Sequence, residues 1–437
     1  MGFLGVRARR SMGHGADTFW RGAARSPLRD APWGVLLPVT LIATVALSAP
    51  ASAQQVPLPT PSGFEPGLGL QLGGIEFFTR LEAGVGATSN ARKDPTEESD
   101  HLRTFEGKVR AQSTWDRHSL SAGVRHVDKR TIDIDQDSYA TSGNLAGRID
   151  LWESWSVNAS VMHEEDLVEK HHPEQFIGNI NGRTETDAAS LGAKREDSDS
   201  LVSLTWTYQD VDNESEIDAT NFQVLQNNDR QETDLTLQAG PKFDWGRAYV
   251  QGDLRRIDYT QSPTVGTEDF DSHGYKVGFG LEYQQGSLSG LFTITGFRQD
   301  YETDTIGDIQ GVTTTTELLW QARDNLVLGT TLSRTFSEQA TAGSAGLYSN
   351  VAAAGVMYQP LDYVYLRLEP SYTYFRQQGV GNSAENVRLT GTAAWQVHDR
   401  VELLLKGDMS RQTANDAALN SLEFDDATVT LSTVVTF

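Results

Sequence analysis

Apolar and polar residues alternate along most of the chain from about residue 74 to the C-terminus, in segments roughly ten residues long. The last segment, 429–437, reads Val-Thr-Leu-Ser-Thr-Val-Val-Thr-Phe, which places Val429, Leu431 and Phe437 on one face. Neighbouring side chains of a strand point to opposite faces. The pattern therefore predicts strands that each have one apolar face and one wet face.

Aromatic residues mark the short turns between these segments. Six of the seven Trp residues that follow residue 53 lie at such turns. From position 283 onward the turn aromatics fall at 283, 320, 358 and 395, so that each repeat has the length of one hairpin and its loop. A β-propeller repeats at a similar length, but it needs four strands in each unit. The pattern predicts an interfacial aromatic girdle formed by Trp115, Trp152, Trp155, Trp245, Tyr283, Trp320, Tyr358 and Trp395.

The segments add up to about eighteen strands, and boundary errors of a few residues leave sixteen as an alternative. No apolar run after the N-terminus reaches the ~18–20 residues that a membrane helix requires. Only a closed barrel can span a membrane with strands, because unpaired strand edges are not tolerated in lipid. We therefore predict an all-β, transmembrane, antiparallel up-and-down β-barrel with short periplasmic turns and long acidic extracellular loops.

The N-terminus has the pattern of an export signal. Six Arg residues precede an apolar run at 33–49 and the sequence Ala-Ser-Ala at 51–53. This order predicts a signal peptide at 1–53, a Pro-rich periplasmic lead-in at 54–73 and the barrel at 74–437. The chain contains no Cys, which excludes a lipid anchor, disulfides and thiolate metal sites.

The formal net charge is −23, and removal of the Arg-rich N-terminus makes the mature chain still more acidic. This charge argues against nucleic acid as a partner. Much of it lies in predicted extracellular loops such as 210–216 and 300–304. We expect outer-membrane lipid and lipopolysaccharide to surround the predicted barrel.

Charged residues of both signs fall on the predicted inner face. An eighteen-stranded barrel encloses a lumen too wide for side chains to fill, so these groups would line water. Mixed charge favours ion pairs within the wall, and we expect only a few of these residues to touch a solute. The predicted lumen residues are Arg80, Lys108, Arg110, Arg125, Arg148, Arg255, Lys276, Glu282, Arg367, Glu369, Arg388, Glu402 and Lys406.

Motifs for catalysis or cofactor binding do not occur in the sequence. The stretch 133–137 has the rhythm of a calcium loop, but Ser138 stands where the sharp turn requires Gly. The pair His171-His172 is expected to be a surface pair. We predict no catalytic residue, no metal site and no cofactor. Outer-membrane enzymes do build sites from scattered residues, which leaves an enzymatic or structural surface barrel as an alternative.

Several stretches resemble one protein family. They are the Pro-rich lead-in, residues 77–90 with the acidic loop that follows, and residues 115–122. Together they are similar to the putative β-barrel porin 2 family of proteobacterial outer-membrane proteins. The resemblance implies a Gram-negative outer-membrane barrel of porin size and carries no catalytic residues. Several members of this family are similar to proteins associated with exopolysaccharide export. The resemblance therefore implies a periplasmic polysaccharide export protein as a partner of the barrel.

Two transport functions compete. A polysaccharide conduit should present lumen aromatics to sugars, and Tyr249 and Tyr365 face inward by parity. A general diffusion porin should have a loop folded into the lumen, for which 165–184 and 211–228 are long enough. In both cases the strand that ends in Phe437 resembles the signal read by the barrel assembly machinery. A soluble β-domain that ends in Phe is the alternative to that interpretation.

Overall fold

The computed structural model describes eleven stretches of the chain, and the predicted signal peptide lies outside them. The described residues are 56–59, 69–93, 95–134, 137–168, 182–215, 229–260, 270–303, 307–341, 344–379, 381–415 and 423–437. Residues 50–437 form one compact unit. No helix long and apolar enough to cross a bilayer occurs within these stretches.

The described residues form nineteen β-strands. The first ten are β1 (Leu70–Leu72), β2 (Ile75–Thr88), β3 (Asp100–Ser113), β4 (Ser119–Thr131), β5 (Ser138–Asp150), β6 (Trp155–Val168), β7 (Gly182–Glu196), β8 (Ser200–Ser215), β9 (Arg230–Phe243) and β10 (Gly246–Tyr259). The others are β11 (Ser272–Gln285), β12 (Leu288–Tyr301), β13 (Ile309–Arg323), β14 (Leu326–Thr341), β15 (Ser344–Leu361), β16 (Val364–Gln378), β17 (Ser383–His398), β18 (Val401–Ala414) and β19 (Phe424–Thr436).

Strands β2 to β19 form a closed antiparallel barrel. Each strand pairs with the next along the chain, and β19 pairs with β2 from Thr428 opposite Thr88 to Thr436 opposite Arg80. This pairing closes the sheet on itself, as lipid requires. The prediction of an eighteen-stranded up-and-down barrel is confirmed, and the alternative of sixteen strands is wrong.

The short strand β1 completes the edge of β2. Leu70 pairs with Phe77 and Leu72 with Ile75, next to the point where Thr79 meets the C-terminal residue Phe437. An unpaired strand edge offers free N–H and C=O groups to other chains. Strand β1 therefore covers the part of β2 that β19 is too short to reach.

The two ends of the barrel differ in their connections. At one end, called here the short-turn end, the eight hairpins from β3–β4 to β17–β18 are joined by five residues or fewer. At the other, the long-loop end, the connections are mostly longer, with the largest after β2, β6, β8 and β10. The pair β14–β15 departs from this pattern, because only residues 342–343 separate two long strands.

Side chains alternate between two faces of the barrel. Large apolar residues such as Val85, Val124 and Val277 are exposed on the outer face. The residues between them are mostly polar or small and lie on the inner face. This is the alternation expected for a sheet with lipid on one side and a polar interior on the other.

The seam between β13 and β14 opens partway along the barrel. Strand β14 pairs with β13 only as far as Arg334 opposite Thr314, although β13 begins at Ile309 and β14 continues to Thr341. Beyond Arg334, β14 stays paired with β15. The end of the β14–β15 hairpin is therefore released from the wall and free to follow a different path.

Candidate functional site

All thirteen predicted lumen residues lie on the inner face. Residues that are directly opposite each other on paired strands share a face, and this relation links Arg80 to Lys108 and Lys108 to Arg125. The same relation holds around the whole closed sheet and links, for example, Asp253 on β10 to Lys276 on β11. The exposed apolar residues fall on the opposite face. The inner wall is therefore the candidate site.

A repeated two-residue spacing pairs many of these charges. Arg80 contacts Glu82 at 3.1 Å, Arg148 contacts Asp150 at 2.7 Å, and Arg367 contacts Glu369 at 2.5 Å. Residues two apart on a strand point to the same face, which lets a long Arg side chain reach the carboxylate. The motif Arg-x-Asp/Glu is thus a sequence signal for an ion pair within one strand. It also occurs on the outer face, at Arg256-x-Asp258 and Arg298-x-Asp300.

Cross-strand ion pairs connect the inner faces of β2–β5 and β17–β19, called here the open side. The Lys406 Nζ reaches over β19 to Glu82 at 2.6 Å. Arg388 contacts Asp408 at 2.6 Å and Arg125 contacts Glu106 at 3.0 Å. The cations of these pairs remain substantially exposed inside the barrel, which shows that space is left beside this part of the wall.

The inner faces of β9–β16, called here the packed side, have a different character. Glu232 is almost fully buried between Arg255 and Arg230, whose Nε lies 2.7 Å from it. Asp253 accepts a hydrogen bond from Thr236 at 2.6 Å. Arg247 contacts Glu282 at 2.5 Å. Such buried charges are tolerated only because each one has partners.

We expect the variant Arg255→Gln to lose roughly 3–5 kcal/mol of folding free energy, because it leaves Glu232 buried with one cation in place of two. The matched control is Arg256→Gln on the next residue. Arg256 lies on the outer face, is 70% exposed and pairs with Asp258. Exposed ion pairs contribute about 1 kcal/mol or less. Urea unfolding of the refolded protein, followed by Trp fluorescence, measures both, and equal loss in the two variants would contradict the role of Arg255.

The β14–β15 hairpin folds into the lumen on the packed side. Phe336 and Tyr348 pack against Phe297 on the inner face of β12, with ring centroids 5.0 and 6.4 Å away. Glu338, further along β14, is buried and accepts a hydrogen bond from the Tyr301 hydroxyl. Through these contacts the hairpin lies on the lumen side of the wall formed by β12 and β13. The lumen is therefore narrowed from one side.

A second element narrows the lumen from the same side. Residues 56–59, called here the strap, lie against β14–β16, where the Arg367 Nη2 donates to the Val56 carbonyl at 3.3 Å. Val56 is 2% exposed and packs with Val351 and Ala353. The sequence predicts a periplasmic lead-in here, whereas the structure places the strap within the barrel.

Two glycines make room for the strap. A Cβ at Gly329 would collide with Val56, and a Cβ at Gly355 would lie 2.9 Å from Leu58 Cδ1. Both glycines are on the inner face of adjacent strands. The missing side chains leave a notch that an apolar pair of residues fills.

The loops predicted to enter the lumen lie largely outside the described residues. For 165–184 and 211–228, the structure describes only the parts that belong to β6, β7 and β8. Among the described residues, the β14–β15 hairpin and the strap occupy the lumen. The hairpin has no signal in the sequence, because the alternation of apolar and polar residues ends near residue 336.

The eight predicted girdle aromatics all lie at the short-turn end. Trp245 and Tyr283 are half-buried and contact each other, with ring centroids 6.1 Å apart. The other six are exposed: Trp115, Trp152, Trp155, Trp320, Tyr358 and Trp395. A belt of exposed aromatic rings at one end of a barrel suits a membrane–water interface.

The C-terminal residue takes part in closing the barrel. The Phe437 N–H donates to the Thr79 carbonyl at 2.9 Å, and the Thr79 N–H donates to the Phe437 carbonyl at 3.1 Å. The Phe437 ring lies on the outer face and is half-exposed. The ring is therefore accessible at the short-turn end after the barrel has closed.

One group of side chains could hold a cation by distance alone. The ligand atoms of His163, Glu185 and Asp187 lie within 4.8 Å of one another on the outer face. His163 Nδ1 already contacts Asp187 at 2.9 Å, and all three are at least partly exposed. An exposed acidic group of this kind does not define a metal site. His171 and His172 lie outside the described residues.

A closed antiparallel barrel with an apolar outer face, a charged inner face and a ring of aromatics is a porin-like β-barrel of the outer-membrane type. The family model described as "Putative beta-barrel porin 2" matches residues 62–437. The chain therefore belongs to this family, as the resemblance in its sequence predicts. No curated protein matches the chain.

Solved structures with a similar fold include receptors and transporters of iron compounds. The siderophore receptor PirA from Acinetobacter baumannii has 8% identity and a TM-score of 0.44, with 83% of this chain and 80% of that chain covered. The FrpB iron transporter from Neisseria meningitidis has 8% identity and a TM-score of 0.45, with coverage of 84% and 82%. The ferric yersiniabactin uptake receptor FyuA from Yersinia pestis has 11% identity and a TM-score of 0.37, with coverage of 82% and 80%.

Proposed function

We propose that this protein is a passive channel of the Gram-negative outer membrane and that it carries exopolysaccharide out of the cell. The observation that carries the proposal is the open side, where charged side chains on the inner wall remain accessible to water. A passive channel needs a continuous hydrated surface and no catalytic group. We infer accordingly that the protein acts without catalysis.

The neighbouring inner wall on β5–β8 supports a hydrophilic cargo. Its inward residues are largely small and polar and include Ser142, Asn144, Ser160 and Thr186. Ser160 and Ser190 are linked by a hydrogen bond of 2.7 Å. Hydroxyl and amide groups can exchange hydrogen bonds with the hydroxyls of a sugar at little cost. The family resemblance to proteins of exopolysaccharide export points to the same cargo.

The two inner tyrosines differ in what they offer a sugar. Tyr249 is buried over Gly280 and beside Arg247, so its ring presents little free surface. Tyr365 packs against the cluster of Ala394 and Leu404 and is only half-buried. Of this pair, Tyr365 is the residue on which a sugar could stack.

A general diffusion porin for small solutes is the second candidate. The observation that favours it is the inward β14–β15 hairpin, because an element folded into the lumen sets a size limit for solutes. The two functions differ in how a polymer behaves in the channel: a polysaccharide enters the conduit but is excluded from a small-solute porin.

The mature protein refolded in planar bilayers should show discrete conductance steps that added polysaccharide interrupts. Steps that do not respond to polysaccharide would favour the small-solute porin. A protein that is folded, as judged by its heat-modifiable mobility in gels, and that conducts no ions would contradict the proposal of an open channel.

A further inference from the structure

The ion pairs of the open side are unequally exposed. The side chains of their cations Arg80, Arg125, Arg148, Arg388 and Lys406 are 36–48% exposed. The side chains of the carboxylates that they contact, Glu82, Glu106, Asp150 and Asp408, are only 6–24% exposed. The carboxylates lie against the wall and the cations extend from it.

The packed side does not show this arrangement. The cations Arg255, Arg247 and Arg230 are only 11–17% exposed. A solute in the free part of the lumen therefore meets the cations of the open side. The sign of the charge that a solute meets therefore depends on which charged side chains extend into the lumen, and not on how many charged residues the wall contains.

Two further cations, Lys108 and Arg110, lie on the open side. Among the described residues, no carboxylate oxygen lies within 4.0 Å of Lys108 or Arg110, and both side chains are exposed. Arg110 lies over the ring of Phe78, with its guanidinium carbon 5.0 Å from the centroid. Lys108 is directly opposite Arg80 on β2 and Arg125 on β4. Four cations are thus adjacent on three strands.

The physical consequence is a wall that attracts anions. Charges in water at physiological salt interact mainly within a Debye length of about 8 Å. A solute beside this wall lies nearer to the extended cations than to the carboxylates behind them. Rings or patches of Arg and Lys are the means by which pores select anions.

We infer that the open side makes the channel anion-selective and that its cargo is an acidic, carboxylate-bearing saccharide. The inference rests on the proposed function, since it requires an open channel. It is opposite to what the net charge of the whole chain suggests, because the excess of carboxylates lies largely outside this wall. Carboxylates of the saccharide would form charge-assisted hydrogen bonds with Lys108 and Arg110.

The test is the zero-current potential of the refolded mature protein across a KCl gradient. We expect chloride to be more permeant than potassium. The double variant Lys108→Gln, Arg110→Gln should reduce the chloride-to-potassium permeability ratio without leaving any carboxylate unpaired. Arg103→Gln is the matched control, because Arg103 is an exposed cation on the same strand but on the outer face. It should leave the ratio unchanged.

A second measurement identifies the cargo chemistry. An oligomer of galacturonic acid should interrupt the current at lower concentration than a neutral dextran oligomer of the same length, and the double variant should reduce this difference. A conducting channel that prefers potassium, or a double variant that matches the wild type in both measurements, would overturn the inference and leave the proposed channel intact. A folded protein without conductance would overturn both.

Discussion

Replacing Gly329 with valine is expected to increase the single-channel conductance of the mature protein. A side chain at this position collides with Val56, so the strap can no longer occupy its notch. The strap occupies part of the cross-section of the lumen. Its displacement increases the cross-sectional area that water and ions can occupy. Larger current steps in planar bilayers are the expected readout.

Two comparisons make this prediction specific. Deletion of residues 56–59 should produce the same larger steps, because it removes the strap and leaves the wall unchanged. Gly252→Val is the matched control: Gly252 lies in β10 on the outer face, and a Cβ there meets nothing within 4 Å. If the strap deletion conducts like the wild type, the strap lies outside the path of the ions.

Deletion of Phe437 is expected to abolish assembly of the barrel in cells. The deletion removes two backbone hydrogen bonds to Thr79 at the closing seam. Each bond contributes on the order of 1 kcal/mol, which is too little by itself to unfold a barrel. Most of the loss should therefore come from the missing aromatic ring, which the sequence predicts to be part of the assembly signal.

Phe437→Ala separates these two contributions, because it keeps the backbone and removes the ring. We expect this variant to refold into lipid vesicles from urea but to be nearly absent from the outer membrane of cells. Phe437→Tyr should assemble in both settings. Heat-modifiable mobility in gels measures the folded fraction, and normal assembly of Phe437→Ala in cells would show that the ring is not required.

Most of the barrel could be predicted because its alternation is imposed by lipid. Strand β2 spans Ile75–Thr88, the same residues that alternate in the sequence. The β14–β15 hairpin was not predicted, because the alternation of apolar and polar residues ends near residue 336. The hairpin continues inside the lumen, where neither of its faces meets lipid. An apolar face is therefore not required there, and the periodic signal disappears.

The strap could not be placed from the sequence for a different reason. Its Pro-rich composition predicts an extended chain, and that description does not say what the chain touches. The notch at Gly329 and Gly355 lies almost three hundred residues away in the sequence. Only the closed barrel brings the two together.

The alternation of side chains along each strand predicts that the lumen residues share one face. It does not predict which part of that face is the open side and which part is the packed side. The division depends on where the hairpin and the strap lie, and neither position is encoded in alternation. The partners of Arg80, Arg148 and Arg367 could have been found from the Arg-x-Asp/Glu spacing. The same spacing joins Arg230 to Glu232, but the second cation on Glu232, Arg255, comes from the neighbouring strand β10. The partner of Glu338 is Tyr301 on β12, which is not adjacent to β14 in the barrel.

The open side is built from the first and the last strands of the chain, which become neighbours only through the pairing of β19 with β2. Lys406 and Glu82, which form an ion pair across this seam, are separated by 324 residues. The wall along the proposed route is consequently continuous only when β19 is paired with β2. Loss of β19 alone would leave the ion pairs of the packed side in place and open the wall beside the proposed route, so the integrity of this route depends on a single strand.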